Sequence, residues 1–264
     1  MFSDMNEVQI FTLCSGSSGN CTFCRFGSTS FLIDAGASRR AIGKALQSIG
    51  ASLSELSAIF VTHEHSDHIK GLAMLAKYDK IPIYIAPISG KSLSGIDEDL
   101  LIPMKHPATV TLGDVTISSF DTLHDSLSSC GFVISYQGQR FGYATDIGRP
   151  TQNVTDALCG CRAVILEANY DKDMLREGPY PYPLKQRIAG KYGHLDNETA
   201  AAFCVFLGKT GTERILLAHL SGENNTPAIA YETVNQKLKE ENLTLSLGVA
   251  DRYAPTELIT ACLC

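Results

Sequence analysis

The stretch Thr62-His63-Glu64-His65-Ser66-Asp67-His68, THEHSDH, gathers three of the chain's seven histidines and an aspartate into a single short segment. Imidazoles this close repel one another when protonated, and buried ones need partners. Such a cluster is expected to hold a cation. The apolar run Ala58-Ile59-Phe60-Val61 precedes it, so the segment leaves the end of a buried strand, where α/β folds display their chemistry. His63 and His65, two apart, can converge on one ion if the backbone stays extended. Asp67 and His68 then open a helix whose first turn can carry them to a second ion. Imidazole nitrogens with a hard carboxylate oxygen suit zinc, manganese or iron.

Outward from this segment, the bulk properties are those of a globular chain. The 264 residues are 44% hydrophobic and 19% charged, enough for a sizeable core. A formal net charge of −6 provides no general attraction to nucleic acid or anionic membrane. A polyanionic substrate therefore needs a local basic patch or metal ions. No window approaches the roughly 20 apolar residues of a membrane span. The opening MFSDMNEVQIF lacks a basic region followed by an apolar run, so no secretory signal is expected. The expected location is the cytoplasm. Nine cysteines, an odd number, suit a reducing compartment. Cys21 and Cys24 have C-x-x-C spacing but lie in a strand-like stretch, where residues three apart face opposite sides. They are expected to pack, as are Cys159 with Cys161 and Cys262 with Cys264.

The first third reads as the strands VQIFTLC, CTFCRFG and TSFLIDAG, with the turn SGSSGN after the first. A helix, SRRAIGKALQSIG, follows with Ser38 as its cap. The strand SAIFVTH, the helix HIKGLAMLAKYD and the strand IPIYIA come next, then the strands VTISSFDTLHD, GFVISYQG, QRFGYATDIG and RAVILEANY. A Pro/Tyr-rich connection, DMLREGPYPYPLKQRIAGKYG, leads to a final helix–strand–helix–strand run. Strand meanders alternating with helices predict one α/β domain over residues 1–264, two sheets face to face with helices outside.

The H-x-H-x-D-H spacing resembles the signature of the metallo-β-lactamase fold, a four-layer αββα sandwich. The resemblance implies further ligands, each at a strand end. His124 follows VTISSFDTL, Asp146 follows QRFGYAT, His219 follows RILLA, and Asp34 follows TSFLI. It implies His63, His65 and His124 on one ion, Asp67, His68 and His219 on a second, and Asp146 bridging the two. Asp34 is then the outer carboxylate that holds a ligand imidazole in place. Two such ions can generate hydroxide from a shared water, so hydrolysis is the implied chemistry, with two divalent ions (zinc, manganese or iron) as cofactors.

Further segments resemble the YycJ/WalJ-type branch of that fold, which is related to 5′→3′ exonucleases acting on DNA. These are Ser15-Gly16-Ser17-Ser18-Gly19-Asn20, Leu166-Glu167-Ala168-Asn169-Tyr170-Asp171, Leu184-Lys185-Gln186-Arg187-Ile188 and Gly193-His194-Leu195-Asp196-Asn197. The match spans essentially the whole chain. It departs from the branch at Tyr170, where histidine is expected, and at Asp196, where serine is expected.

The resemblance implies in-line attack on phosphorus by a metal-bridging hydroxide, with Asp67 and His194 as catalytic residues. His194 binds phosphate or protonates the leaving oxygen, roles suited to imidazole. Glu167 orients His194 or ends its strand. Backbone N–H groups from Ser17, Ser18, Gly19 and Asn20 form a possible phosphate cradle. Lys185, Arg187 and Lys191 form one basic cluster, and Arg39, Arg40 and Lys44 another, either able to grip a nucleic-acid backbone. The expected partner is nucleic acid, DNA first. Two rival readings stand beside this one: a small-molecule hydrolase of the glyoxalase II or lactonase kind, and a metal-stabilised regulatory protein without turnover.

Overall fold

A computed structural model describes residues 7–262; the opening MFSDMN and Cys264 lie outside the described residues. Packing divides the chain into two compact units. One runs to Ile117, with Ser126–Ser128 and the segment from Ala250 onward; the other comprises Ser118–Asp125 and Ser129–Val249.

The first unit holds a seven-stranded mixed sheet in the order β14-β1-β2-β3-β4-β5-β6. Its strands are β1 (Glu7–Cys14), β2 (Cys21–Phe26), β3 (Thr29–Ile33), β4 (Leu56–Phe60), β5 (Ile83–Ile85), β6 (Leu101–Pro103) and β14 (Thr256–Cys262). β1, β2, β3 and β14 meet antiparallel, whereas β3 through β6 run parallel. Helices α1 (Arg39–Ser48), α2 (Ser66–Ile69), α3 (Leu72–Asp79) and α4 (Pro87–Gly90) lie on the connections. As expected, Ser38 caps α1, its Oγ accepting from Ala41 N at 3.2 Å. Ile42 and Leu46 of α1 and Leu72 and Leu75 of α3 pack on Phe23, Leu32, Ile59 and Val61 of the sheet. Each of these side chains contributes about 1.5–3 kcal/mol by leaving water.

The second sheet has the order β13-β12-β11-β10-β9-β8-β7, built from β7 (Thr109–Leu112), β8 (Val115–Asp121), β9 (Cys130–Tyr136), β10 (Gln139–Ala144), β11 (Ala163–Glu167), β12 (Arg214–Ala218) and β13 (Ser246–Val249). Strands β10 to β13 run parallel. All five residues of β11 are buried, the pattern of a strand covered on both faces. The second unit carries α5 (Gln152–Leu158), α6 (Lys172–Glu177), α7 (Tyr182–Ile188), α8 (Asn197–Lys209) and α9 (Pro227–Glu240). Ala200, Cys204 and Leu207 of α8 and Val234 and Leu238 of α9 join Val164, Leu166, Ile215 and Leu217 in one core.

Three local readings are corrected. The helix expected over His68–Asp79 is two helices, because the chain turns at Gly71: its N–H donates to Ala35 O at 2.7 Å, and a Cβ there would stand 2.3 Å from Ala37 O. The Pro/Tyr-rich connection contains two helices; Asp171 caps α6 through Asp173 and Met174 N–H groups, and proline stands in the first turn of α7, where its missing N–H costs nothing. The edge strand β14 and the helix α5 have no counterpart in the sequence reading. Among the described residues, no helix is long and apolar enough to cross a membrane.

Candidate metal centre

Parallel registry brings the chemistry to one end of each sheet. In the first unit Ile33 of β3 pairs with Phe60 of β4, so the residues just beyond them, Asp34 and Val61–Thr62, lie side by side. Asp34 leaves its strand with φ 60°, the left-handed region in which Asp is enriched among non-glycine residues. Its buried carboxylate accepts from Thr62 N at 2.8 Å, from Thr62 Oγ at 2.9 Å and from His68 Nδ1 at 2.7 Å. Burial pushes the Asp34 carboxyl above its ordinary range, against the opposing pull of His68 and Thr62. Thr62 Oγ also faces His63 Nδ1 at 3.0 Å. Both rings therefore have Nδ1 turned onto a protein acceptor, which leaves Nε2 as the nitrogen carrying the lone pair. The His63 ring lies 4.6 Å from that of His65 and 4.2 Å from that of His68, centroid to centroid. Asp67 and His68 belong to the first turn of α2, as expected.

Asn20 has a role that the sequence reading missed. Its Nδ2 reaches Asp67 Oδ2 at 3.3 Å and His68 Nε2 at 3.1 Å, and its backbone N–H donates to Asp67 O at 2.7 Å. This corrects the phosphate cradle. The N–H groups of Gly19 and Asn20 are spent on Gly16 O and Asp67 O, and only Ser17 and Ser18 stand exposed at the turn. Glu64 is structural: it accepts from Ser89 Oγ at 2.6 Å and from Leu127 N at 2.7 Å.

In the second unit the pairs Ala144–Leu166 and Glu167–Ala218 set Asp146, Glu167 and His219 beside one another at the carboxyl ends of three parallel strands. Asp146 and His219 are both left-handed, with φ 56° and 57°. Such conformations cost of order 1–3 kcal/mol each and persist where surrounding contacts hold them. Glu167, fully buried, is the hub. Its Oε1 accepts from His194 Nδ1 at 2.8 Å and His219 Nδ1 at 3.0 Å, and its Oε2 accepts from the N–H groups of Ile147 and Leu195. Burial alone raises its carboxyl, but His194 and His219 together hold it below the usual range. Glu167 thus ends its strand and meets two imidazoles at once, those of His194 and His219. His124 Nδ1 faces Gly193 O at 3.0 Å; burial lowers this imidazole's pKa, with Asp146 pulling the other way.

Asp146 Oδ1 lies 3.6 Å from His124 Nε2 and 3.6 Å from His219 Nε2. That is beyond a normal hydrogen bond, yet near the roughly 3.4 Å edge of a tetrahedron with 2.1 Å metal bonds. The same oxygen is 3.6 Å from His194 Nδ1, so this one carboxylate oxygen faces three imidazoles. The donor set of each unit, imidazole Nε2 with Asp oxygens, thus fits divalent cations. Asp146, Glu167, His194 and His219 also offer four atoms within 4.8 Å of one another, a competing grouping that spacing alone did not suggest. Asn169 adds a donor to His219 O at 2.7 Å.

One arginine of each basic cluster is paired with a carboxylate. Arg187 pairs with Asp125, whose Oδ1 faces His124 Nε2 at 3.4 Å, and Arg39 makes two 2.6 Å bonds to Asp79. Lys185 Nζ donates to Arg176 O at 2.7 Å. Cys21 and Cys24 are both buried in β2, and burial pushes both thiols up, as inert packing residues require.

A sequence profile described as "Beta-lactamase superfamily domain" matches residues 29–220, and the chain belongs to that family. Among curated proteins it is similar to "Exodeoxyribonuclease YycJ" of Bacillus anthracis, 33% identical over 245 residues and 91% of each chain. It is equally similar to "Exodeoxyribonuclease WalJ" of Streptococcus pneumoniae, 33% identical over 255 residues and 94% of each. Among solved structures, the metallo-β-lactamase fold protein YhfI from Bacillus subtilis superposes with a TM-score of 0.69 at 17% identity, over 96% of this chain and 99% of that one. The α/β fold is that of the metallo-β-lactamases.

Proposed function

We propose that this chain is a dinuclear-metal-dependent phosphodiesterase, a DNA exonuclease working in the 5′→3′ direction in the cytoplasm. The two units serve as one catalytic domain, residues 1–264. In this reading His63, His65 and His124 would hold one ion, Asp67, His68 and His219 would hold the other, and Asp146 would serve both. A pair of divalent ions, zinc or manganese, supplies Lewis acidity and acidified water when bound.

The observation that carries the reading is the pinning of Nδ1 in His63, His68, His124 and His219. Each ring is fixed in the tautomer and orientation of a metal ligand, an arrangement a merely solvated cluster does not need. The 33% identity to proteins named exodeoxyribonucleases supports nucleic acid as substrate, and DNA first. The chain's own residues then divide the work. Asp67, held by Asn20, accepts a proton as water attacks phosphorus in line. His194, half-buried with Nδ1 on Glu167, presents its other nitrogen to the leaving oxygen. Lys185 holds a phosphate. Nine cysteines in a chain with an odd count support a reducing compartment.

The test is to incubate the purified protein with Mn²⁺ or Zn²⁺ and end-labelled duplex DNA, single-stranded DNA and RNA, beside a thioester and a lactone. Metal-dependent shortening of DNA from the 5′ end is expected. Turnover of the thioester with no nucleic-acid product overturns the reading in favour of a small-molecule hydrolase.

A further inference from the structure

The second unit contains a cavity of about 570 Å³ lined by residues of α6, α7 and the 170 and 196 positions, within the roughly 300–1,000 Å³ of small-ligand sites. Its wall is built on the same two backbone stretches as the Glu167 hub. Tyr170 forms a parallel bridge to Asp196, Asn169 N donates to Leu195 O at 2.8 Å, and Asn169 Nδ2 donates to His219 O. His194 stands two residues from Asp196.

The lining has the chemistry of a nucleotide. Lys172, Arg176, Lys185 and the carboxylate of Asp196 line the cavity. Lys172 is committed to Asp196 and Glu198, and Arg176 to Asp173 and Glu177. Lys185 is different: among the described residues it pairs with no carboxylate, and its ammonium donates to the Arg176 carbonyl alone. Tyr182 is 71% exposed, and its hydroxyl accepts from Gln186 Nε2 at 2.9 Å, which fixes the ring on the rim. Buried Tyr170 lies in the wall; among the described residues nothing hydrogen-bonds its hydroxyl, and burial pushes its pKa up to about 12, so it stays a donor at physiological pH.

We propose that this cavity seats one nucleotide of the substrate strand beside the scissile phosphodiester, its base on Tyr182, its phosphate on Lys185 and the Tyr170 hydroxyl. The inference rests on the nuclease reading and extends it by locating where the strand is gripped. Aromatic stacking is the usual sequence-tolerant hold on single strands, and a lysine without a carboxylate is the group best placed to take a phosphate.

The experiment measures binding of a single-stranded oligonucleotide carrying 2-aminopurine to the full chain in EDTA, so that no cleavage intervenes. Wild type is expected to bind and quench the fluorophore, and Tyr182→Phe to do the same. Tyr182→Ala is expected to weaken binding about tenfold and abolish the quench. Lys185→Ala is expected to weaken binding and flatten the slope of log affinity against log salt by about 0.7. Tyr182 is exposed and Lys185 half-buried, and thermal melting equal to wild type checks that the variants fold. If wild type binds but both alanine variants match it in affinity and quench, the cavity assignment is overturned while the nuclease reading stands. If wild type neither binds nor digests nucleic acid, the nuclease reading itself falls and the inference with it.

Discussion

Glu167 Oε1 stands 3.0 Å from Nδ1 of His219, with the carboxylate wholly buried. A carboxylate in such a position can only accept, so it fixes the proton on Nδ1 and sends the lone pair to Nε2, 3.6 Å from Asp146. The same oxygen also accepts from His194 Nδ1, at 2.8 Å, which leaves Nε2 of that ring facing outward and, as imidazolium, able to give up a proton. Replacing Glu167 by glutamine keeps the shape, but its N–H₂ must then face either the two rings or the backbone N–H groups of Ile147 and Leu195, and all four need an acceptor. Glu167→Gln is expected to weaken metal binding 10–100-fold, read by titration of the apo protein with Zn²⁺. Unchanged affinity would remove Glu167 from the site.

The competing four-donor grouping around Asp146 separates from the proposed assignment by metal content. If His219 is a ligand and His194 a proton donor, His219→Ala loses bound metal. His194→Ala keeps the full complement and loses about 10²–10⁴ in kcat. Elemental analysis of both variants decides; equal metal loss in the two refutes the assignment of His194 to acid catalysis.

Gly36 lies where the backbone of the THEHSDH segment passes closest. A Cβ at this position would sit 1.6 Å from Asp67 O, and Gly36 N donates to Asn20 O at 2.8 Å. Gly36→Ala must displace the first turn of α2. The expected cost is about 2 kcal/mol or more, a fall in Tm of roughly 4–8 °C, with metal affinity reduced alongside. A variant melting with wild type and binding metal equally well contradicts this packing.

Asp196 explains its own departure from the expected serine. Its carboxylate accepts from Glu198 N, Thr199 N and Thr199 Oγ, the cap of α8, a role serine also fills. Asp196→Ala is expected to cost about 1 kcal/mol and Asp196→Ser little. Burial acts to raise this carboxyl, but the Thr199 and Lys172 hydrogen bonds together hold it below its ordinary value. A depressed pKa means the stabilisation is full above the unfolded value of about 3.9 and lost as pH falls through the folded value. The Tm gap between wild type and Asp196→Ala should therefore be steady near pH 7 and narrow below about pH 4. A gap that widens in acid is inconsistent with this account.

The candidate site residues are legible because each follows a short buried run, and such runs announce strands by composition alone. Asp34 after TSFLI, Asp146 after FGYAT and His219 after RILLA are visible without coordinates. The same logic misses the helices of the Pro/Tyr-rich stretch, which reads as a connection although proline stands in the first turn of α7. At the basic clusters, a run of Lys and Arg says nothing about Asp125 or Asp79 arriving from elsewhere to pair with Arg187 and Arg39.

The sequence by itself determined which side chains stand at strand ends, because burial and alternation are local properties of a segment. Only the assembled fold decides which acceptor meets each imidazole nitrogen, what Asn20 and Glu167 touch, and that Lys185, unlike Lys172, pairs with no carboxylate among the described residues. Those outcomes depend on the register of parallel strands far apart in the chain: Glu167 reaches His219 because β11 and β12 pair Glu167 with Ala218, a relation between segments that no single segment encodes.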